Sequence, residues 1–244
     1  MTARGFVPTD EKEFSKNSMI VLRKAQQDIL FLIEQGYPIK SASTFVGNHY
    51  LLSERQRLAV VRATTSKNIV GMRLKKQRKE EMRGKRVFID GLNLIITLEV
   101  ALSQTTLICC MDGAIRDLAG LRGTYRLIDK TDEAIKLIGY KLMELQIEEA
   151  VFYLDSPVSN TGRLKQRIYE LLDGFPYKIT VELVNNADVF LENKEYVISS
   201  DAIVLNKCTS WINLAAEIIQ EKIHQANCID LSGNNNTYQD INEP

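Results

Sequence analysis

Carboxylates that follow apolar, strand-like runs are the most informative chemical feature of this chain. In a parallel α/β sheet, the residues after a strand lie at the carboxyl edge, where ligands bind. Carboxylates gathered at one edge raise one another's pKa, and a divalent cation bound through oxygen removes that conflict. We therefore expect Mg²⁺ or Mn²⁺ here, positioning water for attack on phosphorus. The aspartates concerned are Asp90, Asp112, Asp155, Asp188 and Asp201.

Polar residues beside two of these aspartates suit the same chemistry. Asn93 lies three residues after Asp90, where its amide can hydrogen-bond a carboxylate or water. Ser199 and Ser200 precede Asp201 and can orient its carboxylate or a metal-bound water. For any single aspartate, a helix cap or a solvated loop explains the residue equally well. Only the convergence of all five favours a site.

Two loops carry groups that can bind phosphate. The loop after Asp155 leads into a helix N-terminus and offers Ser156, Ser159 and Arg163, a combination that can receive an anion. An ordinary Ser/Thr-capped turn is the alternative. Glycines accompany Arg116 and Arg122 between residues 112 and 126, as in a mobile, phosphate-gripping lid. Ion pairs with nearby aspartates are the alternative for these arginines.

Charge is divided unevenly along the chain, although the net charge is zero. Residues 1–86 hold 18 Lys+Arg against 8 Asp+Glu, and residues 87–244 hold 13 against 23. Such asymmetry predicts either a basic arm that meets a polyanion or a basic part that docks on the acidic part. The densest basic stretch, residues 67–86, is a candidate for phosphate-backbone contact. Its proposed contact residues are Arg73, Lys75, Lys76, Arg78 and Lys79.

Composition excludes several classes of protein. No apolar run reaches the ~20 residues that span a bilayer, and the N-terminus lacks the apolar core of a secretory signal. The four cysteines form no CxxC pair, which predicts free thiols in a reducing compartment. The sequence therefore predicts a cytoplasmic protein with no membrane partner.

Periodicity divides the chain into five segments. We predict a flexible N-terminus over residues 1–17, a trihelical module over 18–66, a basic linker helix over 67–86, an α/β domain over 87–228 and a disordered tail over 229–244. The module is compatible with helix-turn-helix DNA binding or with a helical packing cap. From Val87 onward, apolar β-runs alternate with helical segments. The predicted strands span 87–90, 106–111, 150–155, 178–184 and 196–200, and the last predicted helix spans 211–224. This alternation predicts a central parallel sheet flanked by helices on both faces.

Three motifs carry a resemblance to a known superfamily. Val-Phe-Ile-Asp-Gly-Leu-Asn at 87–93, Asn-Ala-Asp at 186–188 and Val-Ile-Ser-Ser-Asp-Ala at 197–202 resemble the acidic motifs of PIN and NYN nucleases. The whole chain also resembles an uncharacterised prokaryotic family that joins a helical module to a PIN-like half. The resemblance implies a three-layer PIN-like domain and Mg²⁺- or Mn²⁺-dependent ribonuclease activity. It places Asp90, Asp188 and Asp201 on metal-binding positions.

Asp112 and Asp155 lie outside the superfamily pattern and are interpreted as extra metal-shell or water-orienting groups. The catalytic set is then Asp90, Asp155, Asp188 and Asp201, with Asp112 as a further metal ligand. The expected function is hydrolysis of single-stranded or structured RNA by metal-activated water. A non-catalytic RNA-binding or ribonucleoprotein scaffold with a degenerate site is the alternative, and a small-molecule phosphatase is a weaker one. Either a homodimer or a ribonucleoprotein partner is compatible with the sequence.

Overall fold

The N-terminal helices follow the apolar periodicity of the sequence. The computed structural model describes residues 3–79, 82–120 and 123–233. Ser53 caps one helix through a reciprocal capping box with Gln56, which satisfies the exposed N–H groups of the first turn. The helices are α1 (Asp10–Glu13), α2 (Lys16–Glu34), α3 (Ile39–His49), α4 (Glu54–Ala63) and α5 (Lys67–Lys76).

The rest of the described chain alternates strands with helices, as predicted. The elements are β1 (Arg86–Asp90), α6 (Gly91–Leu102), β2 (Leu107–Cys109), β3 (Ile115–Asp117), α7 (Thr131–Glu144), β4 (Glu149–Asp155), α8 (Thr161–Leu172), β5 (Lys178–Val184), α9 (Ala187–Leu191), β6 (Val197–Ile198), α10 (Ala202–Lys207), β7 (Trp211–Ile212), α11 (Leu214–Lys222) and β8 (Cys228–Asp230).

The central sheet confirms the predicted α/β class with a parallel sheet and an N-terminal helical region. Within the described residues it has five parallel strands in the order β5-β4-β1-β6-β7. The chain moves outward from β1 to one side through β4 and β5, and then returns to the other side through β6 and β7. The order therefore reverses between β1 and β6, and ligands of open α/β sheets bind at such a switch point.

A second, smaller sheet explains why one strand prediction placed its aspartate wrongly. The run before Asp112 does form a strand, β2, but β2 pairs with β3 and β8 instead of joining the central sheet. Its carboxyl end is consequently not at the edge where β1, β4 and β6 end. Strand β8 also corrects the predicted disordered tail, because its Ile229 and the following Leu231 are buried. Residues 234–244 lie outside the described part.

The helical module is packed on this small sheet and shares a hydrophobic core with it. Leu22, Ile29 and Val60 of the module are buried in one cluster with Ile108 and Ile229 of the sheet. Arg55 of α4 also faces inward, because it pairs with Asp10 and donates to the carbonyl of Leu118. These contacts agree with the interpretation of the module as a helical packing cap.

Two of the predicted segments have a different structure. Residues 3–17, predicted to be flexible, are anchored to the body, where Arg4 Nε donates to the fully buried Glu99 at 2.7 Å. The predicted linker helix over 67–86 is helical only to Lys76, because Gln77 bridges to Trp211 at the edge of the central sheet. Strand β7 itself, at Trp211–Ile212, was missed and predicted as helix.

Candidate functional site

Strand register brings Asp90 and Ser199 together at the switch point. Ile89 of β1 pairs with Ile198 of β6, so the residues that follow them are neighbours at the carboxyl edge. Ser199 Oγ donates a hydrogen bond to Asp90 Oδ2 at 2.8 Å. The same hydroxyl accepts from the backbone N–H of Asp201 at 3.0 Å. Ser199 thus orients Asp90, whereas the sequence suggested that it orients the carboxylate of Asp201.

Asp90 is the most strongly perturbed carboxylate at this edge. Asp90 is only 5% exposed. Burial is the main reason that the pKa of its carboxyl rises from the ordinary 3.8 to about 7. The hydrogen bond from Ser199 opposes the rise. The negative charges of Asp188, Asp201 and Asp155 add to it. Strongly perturbed carboxylates in clefts mark candidate functional sites.

Asp90 has no local structural role that explains its burial. Although it precedes α6, its side chain caps none of the described N–H groups of that helix. Among the described residues, no buried side-chain oxygen or nitrogen lacks a hydrogen-bond partner. Asp90 Oδ1 accepts no hydrogen bond from them, and Asp90 lines the cavity described below.

Asp155 and Asp201 combine a cleft position with helix capping. Asp155, at the end of β4, accepts from the N–H of Ala187 at 2.8 Å through Oδ1 and so fixes the start of α9. Asp201 accepts from the N–H groups of Ile203 and Val204 through its own Oδ1. The capping explanation is therefore correct for these two aspartates. The Oδ2 atom of each accepts no hydrogen bond from the described residues and is available to a ligand.

Asp188 lies in the first turn of the short helix α9, which Asp155 anchors. Its pKa is raised, mainly by burial and then by the charges of Asp201 and Asp155. The side chain of Asp188 forms no hydrogen bond or ion pair with any described residue, and only its backbone carbonyl is engaged, by the N–H of Glu192 at 3.1 Å. The four aspartates thus form one electrostatically coupled group.

Asp112 was wrongly predicted to join this group. It is fully buried, and its Oδ2 accepts from both Arg73 Nη1 and Arg116 Nη2 at 2.6 Å. Burial alone would raise the pKa of Asp112, but the guanidinium of Arg116 and then that of Arg73 lower it below its ordinary value. Arg73 and Arg116, predicted to grip phosphate, are therefore structural partners of a buried carboxylate.

The two arginines hold the backbone on both sides of Asp201. Arg116 Nε donates to the carbonyl of Ser200 at 2.7 Å, and Arg73 Nη2 donates to the carbonyl of Ala202 at 3.1 Å. Asn93 Oδ1 accepts from both the N–H and the hydroxyl of Ser200, at 2.8 and 3.0 Å. Asn93 and Ser200 thus fix the loop before Asp201, and neither contacts a carboxylate of the group.

The aspartate group lines part of a cavity of about 980 Å³ between the helical module and the α/β body. Asp90, Asp155, Asp188 and Asp201 all line it, and Asp112 does not. Besides polar residues such as Arg62 and Thr65, the module contributes apolar side chains to the lining. These side chains, which sequence reasoning missed, are Ile33, Tyr37, Ile39, Val61 and Ile69.

The carboxylates of the cleft are the right type of ligand for a hard cation, but they are not spaced to hold one. All four groups offer carboxylate oxygen, the ligand type of Mg²⁺ and Mn²⁺. The negative charges of Asp188, Asp201 and Asp155 each raise the pKa of Asp90, after the larger effect of burial. Yet no three Asp, Glu, His or Cys side chains in the described part are grouped closely enough to hold a metal ion. Binding would therefore require the carboxylates to draw together.

Most of the remaining predicted phosphate ligands lie outside the cavity. Ser156, Ser159 and Arg163 are exposed, and none of them lines it. Arg122 lies outside the described residues. Lys75, Lys76 and Arg78 line a separate groove of about 450 Å³ with Lys67, on another face of α5. Lys79 is exposed beyond that groove.

Two family models cover most of the chain. Residues 21–76 match a protein of unknown function (DUF434), and residues 79–217 match a domain of unknown function (DUF5616). The chain belongs to the DUF5616 family. Uncharacterized protein MJ0935 of Methanocaldococcus jannaschii is 34% identical over 203 residues, which make up 83% of this chain and 96% of that protein. No solved structure matches the chain.

In this DUF5616 member, the cavity is built from both matched segments. The apolar side chains of the module come from residues 33–69 and the aspartates from residues 90–201. Throughout residues 3–79, 82–120 and 123–233, no helix is both long and apolar enough to cross a membrane.

Proposed function

We propose that this protein hydrolyses phosphodiester bonds in RNA with Mg²⁺ or Mn²⁺ bound at the aspartate group, in a PIN-like domain. The observation that carries the proposal is the state of Asp90. It is a buried carboxylate at a switch point, with a pKa raised to about 7 by burial and by three neighbouring aspartates. Such an arrangement costs folding free energy, and a bound divalent cation would offset that cost.

The roles of the side chains follow from their contacts. Asp90 lines the cavity while Ser199 holds its Oδ2. Asp155 and Asp201 offer the oxygens that capping leaves available, and Asp188 offers its whole carboxylate. A divalent cation bound there would supply a positioned water and neutralise charge on the phosphate. Asn93, Arg73 and Arg116 act as positioning residues, since they fix the backbone that carries Asp201.

The basic groove on α5 suits the RNA backbone. Lys67 and Lys75 are exposed there, and Lys76 and Arg78 line the same groove. Clustered Lys and Arg side chains neutralise phosphates and give binding that weakens as salt rises. The groove and the cavity share α5 as their dividing helix, because Ile69 and Arg73 of that helix face the cavity.

The test is cleavage of a mixed RNA pool by the purified full chain with Mn²⁺ at pH 8. We expect Asp90→Asn and Asp201→Asn to lose metal-dependent cleavage. Asp173→Asn is the matched control, because Asp173 is exposed after α8 and does not line the cavity. Cleavage by Asp90→Asn at the wild-type rate, or its absence from the wild type with every metal, would refute the proposal.

A non-catalytic RNA-binding function is the second candidate. Two observations favour it: the basic groove, and the absence from the described part of a carboxylate set already spaced for a metal ion. It predicts salt-sensitive RNA binding that Lys75→Ala weakens, with no cleavage under any metal. Binding and cleavage measured on the same RNA pool separate the two functions.

A further inference from the structure

We infer that the helical module forms a binding subsite for one unpaired nucleobase beside the aspartate group. The choice of a nucleic-acid base rests on the proposed function. The subsite itself rests on the composition of the cavity wall, which neither the aspartates nor the basic groove explains.

The first observation is that apolar side chains of the module line the same cavity as the aspartates. Ile33, Ile39 and Val61 are only partly buried, and each lines the cavity. Leu92 and Ile96 of α6 extend the apolar surface toward Asp90. Apolar side chains left open beside a polar centre are typical of sites for a ligand with an apolar body. Apolar side chains contribute no affinity for bare phosphate or for a hydrated cation.

The second observation is an exposed aromatic ring in the cavity lining. Tyr37 lies in the turn between α2 and α3, is 57% exposed, and lines the cavity. Exposed aromatic rings bind unpaired bases by stacking, with little dependence on base identity. A double helix does not present an unstacked base to such a ring.

The third observation is a small set of polar groups with spare hydrogen-bonding capacity. The hydroxyl of Ser66 caps no described N–H group, and the Asn93 amide nitrogen donates to no described acceptor. Both residues line the cavity. Few, well-placed polar groups on an apolar surface match the edge of a base.

The fourth observation connects the cavity with the basic groove. Ser66 at the start of α5 lines the cavity, and its neighbour Lys67 lines the groove. A strand that places one base against Tyr37 can therefore continue past the start of α5, with its next phosphates along Lys67 and Lys75. In this arrangement, only the phosphate next to the bound base lies near the aspartates.

The experiment compares two ligands that carry the same phosphate. Uridine 5′-monophosphate and ribose 5-phosphate are titrated into the full chain by calorimetry, with Mg²⁺ present. We expect the nucleotide to bind at least about tenfold more tightly, because base–aromatic stacking contributes strongly to affinity. Tyr37→Ala should remove most of this difference, while Tyr37→Phe should retain it.

Phe45→Ala is the control, because Phe45 is also an exposed aromatic residue of the module, at 71%, but does not line the cavity. It should leave the difference between the two ligands unchanged. Equal affinity for the nucleotide and ribose 5-phosphate would overturn the subsite, even if the protein cleaves RNA. A base-dependent affinity that Tyr37→Ala abolishes supports the subsite, even if no RNA is cleaved. The failure of one proposal can therefore be told apart from the failure of the other.

Discussion

Asp90→Asn is expected to stabilise the metal-free protein, although it removes a central side chain of the cleft. The carboxylate of Asp90 binds its proton more tightly in the folded state than in the unfolded chain, because burial raises its pKa from 3.8 to about 7. The free energy of unfolding therefore falls as pH rises between these two values and stays low above them. Asparagine is neutral at every pH and avoids this loss.

The size of the effect follows from the pKa values. One pKa unit corresponds to ~1.4 kcal/mol, so the rise from 3.8 to about 7 limits the gain in stability to ~4 kcal/mol at pH 8. At pH 5 less than half of this gain remains, since the wild-type carboxyl is then mostly protonated in the folded state. Asparagine can also keep the hydrogen bond from Ser199 through its side-chain oxygen. The gain should therefore not be cancelled by a lost contact.

The assay is urea unfolding of wild type and variant with EDTA at pH 5 and pH 8. Comparing the two proteins at each pH cancels the titration of the groups that do not interact with Asp90, and Asp173→Asn supplies a surface control. Added Mg²⁺ or Mn²⁺ should then stabilise the wild type by mass action and the variant much less. The reasoning about Asp90 is refuted if the variant is less stable than wild type at pH 8, or if its advantage is the same at both pH values.

Two further substitutions test other parts of the site. Asp112→Asn should lower the free energy of unfolding by ~3–5 kcal/mol, because it leaves two buried guanidiniums without their carboxylate. Urea unfolding measures this loss. A loss no larger than that caused by Asp173→Asn would contradict the prediction. Gly91→Ala should cost ~1–3 kcal/mol, since its Cβ would lie 2.6 Å from Leu154 Cδ2 and 3.1 Å from a backbone oxygen. Gly71→Ala, with nothing within 4 Å of its Cβ, should instead gain up to ~1 kcal/mol of helix stability, and equal shifts in melting temperature would show the crowding argument to be wrong.

Local sequence predicted the elements well where a long apolar run determines them. Strand β5 has the predicted bounds, 178–184, and β4 begins one residue earlier than predicted. Strand β6, at Val197–Ile198, lies within the strand predicted over 196–200, whereas β7, at Trp211–Ile212, was predicted as helix because two residues carry too little pattern of their own. Their pairing with β1 and with each other is a tertiary effect that no local window contains.

The candidate site was predicted only in part, for a related reason. A strand-like run before an aspartate indicates a carboxyl edge, but not which sheet the strand joins, and Asp112 consequently was assigned to the wrong edge. Arg73 lies in a basic run that looks solvated throughout, yet it pairs with an aspartate 39 positions away. The charge asymmetry had two explanations, and pairs such as Arg73 with Asp112 and Arg4 with Glu99 show that the basic part does dock on the acidic part. The exposed lysines of the groove leave the polyanion explanation as a prediction.

The shared core of the helical module and the small sheet determines which fragments of the chain can fold alone. A fragment limited to residues 79–217 would lack β8, leave Ile108 without its covering helices, and leave Asp112 with one arginine instead of two. Such a fragment would expose apolar surface and misplace the loop of Asp201, so it is expected to aggregate when expressed alone. The two family segments therefore form one folding unit, and any exchange of one segment between relatives must preserve the residues that join them.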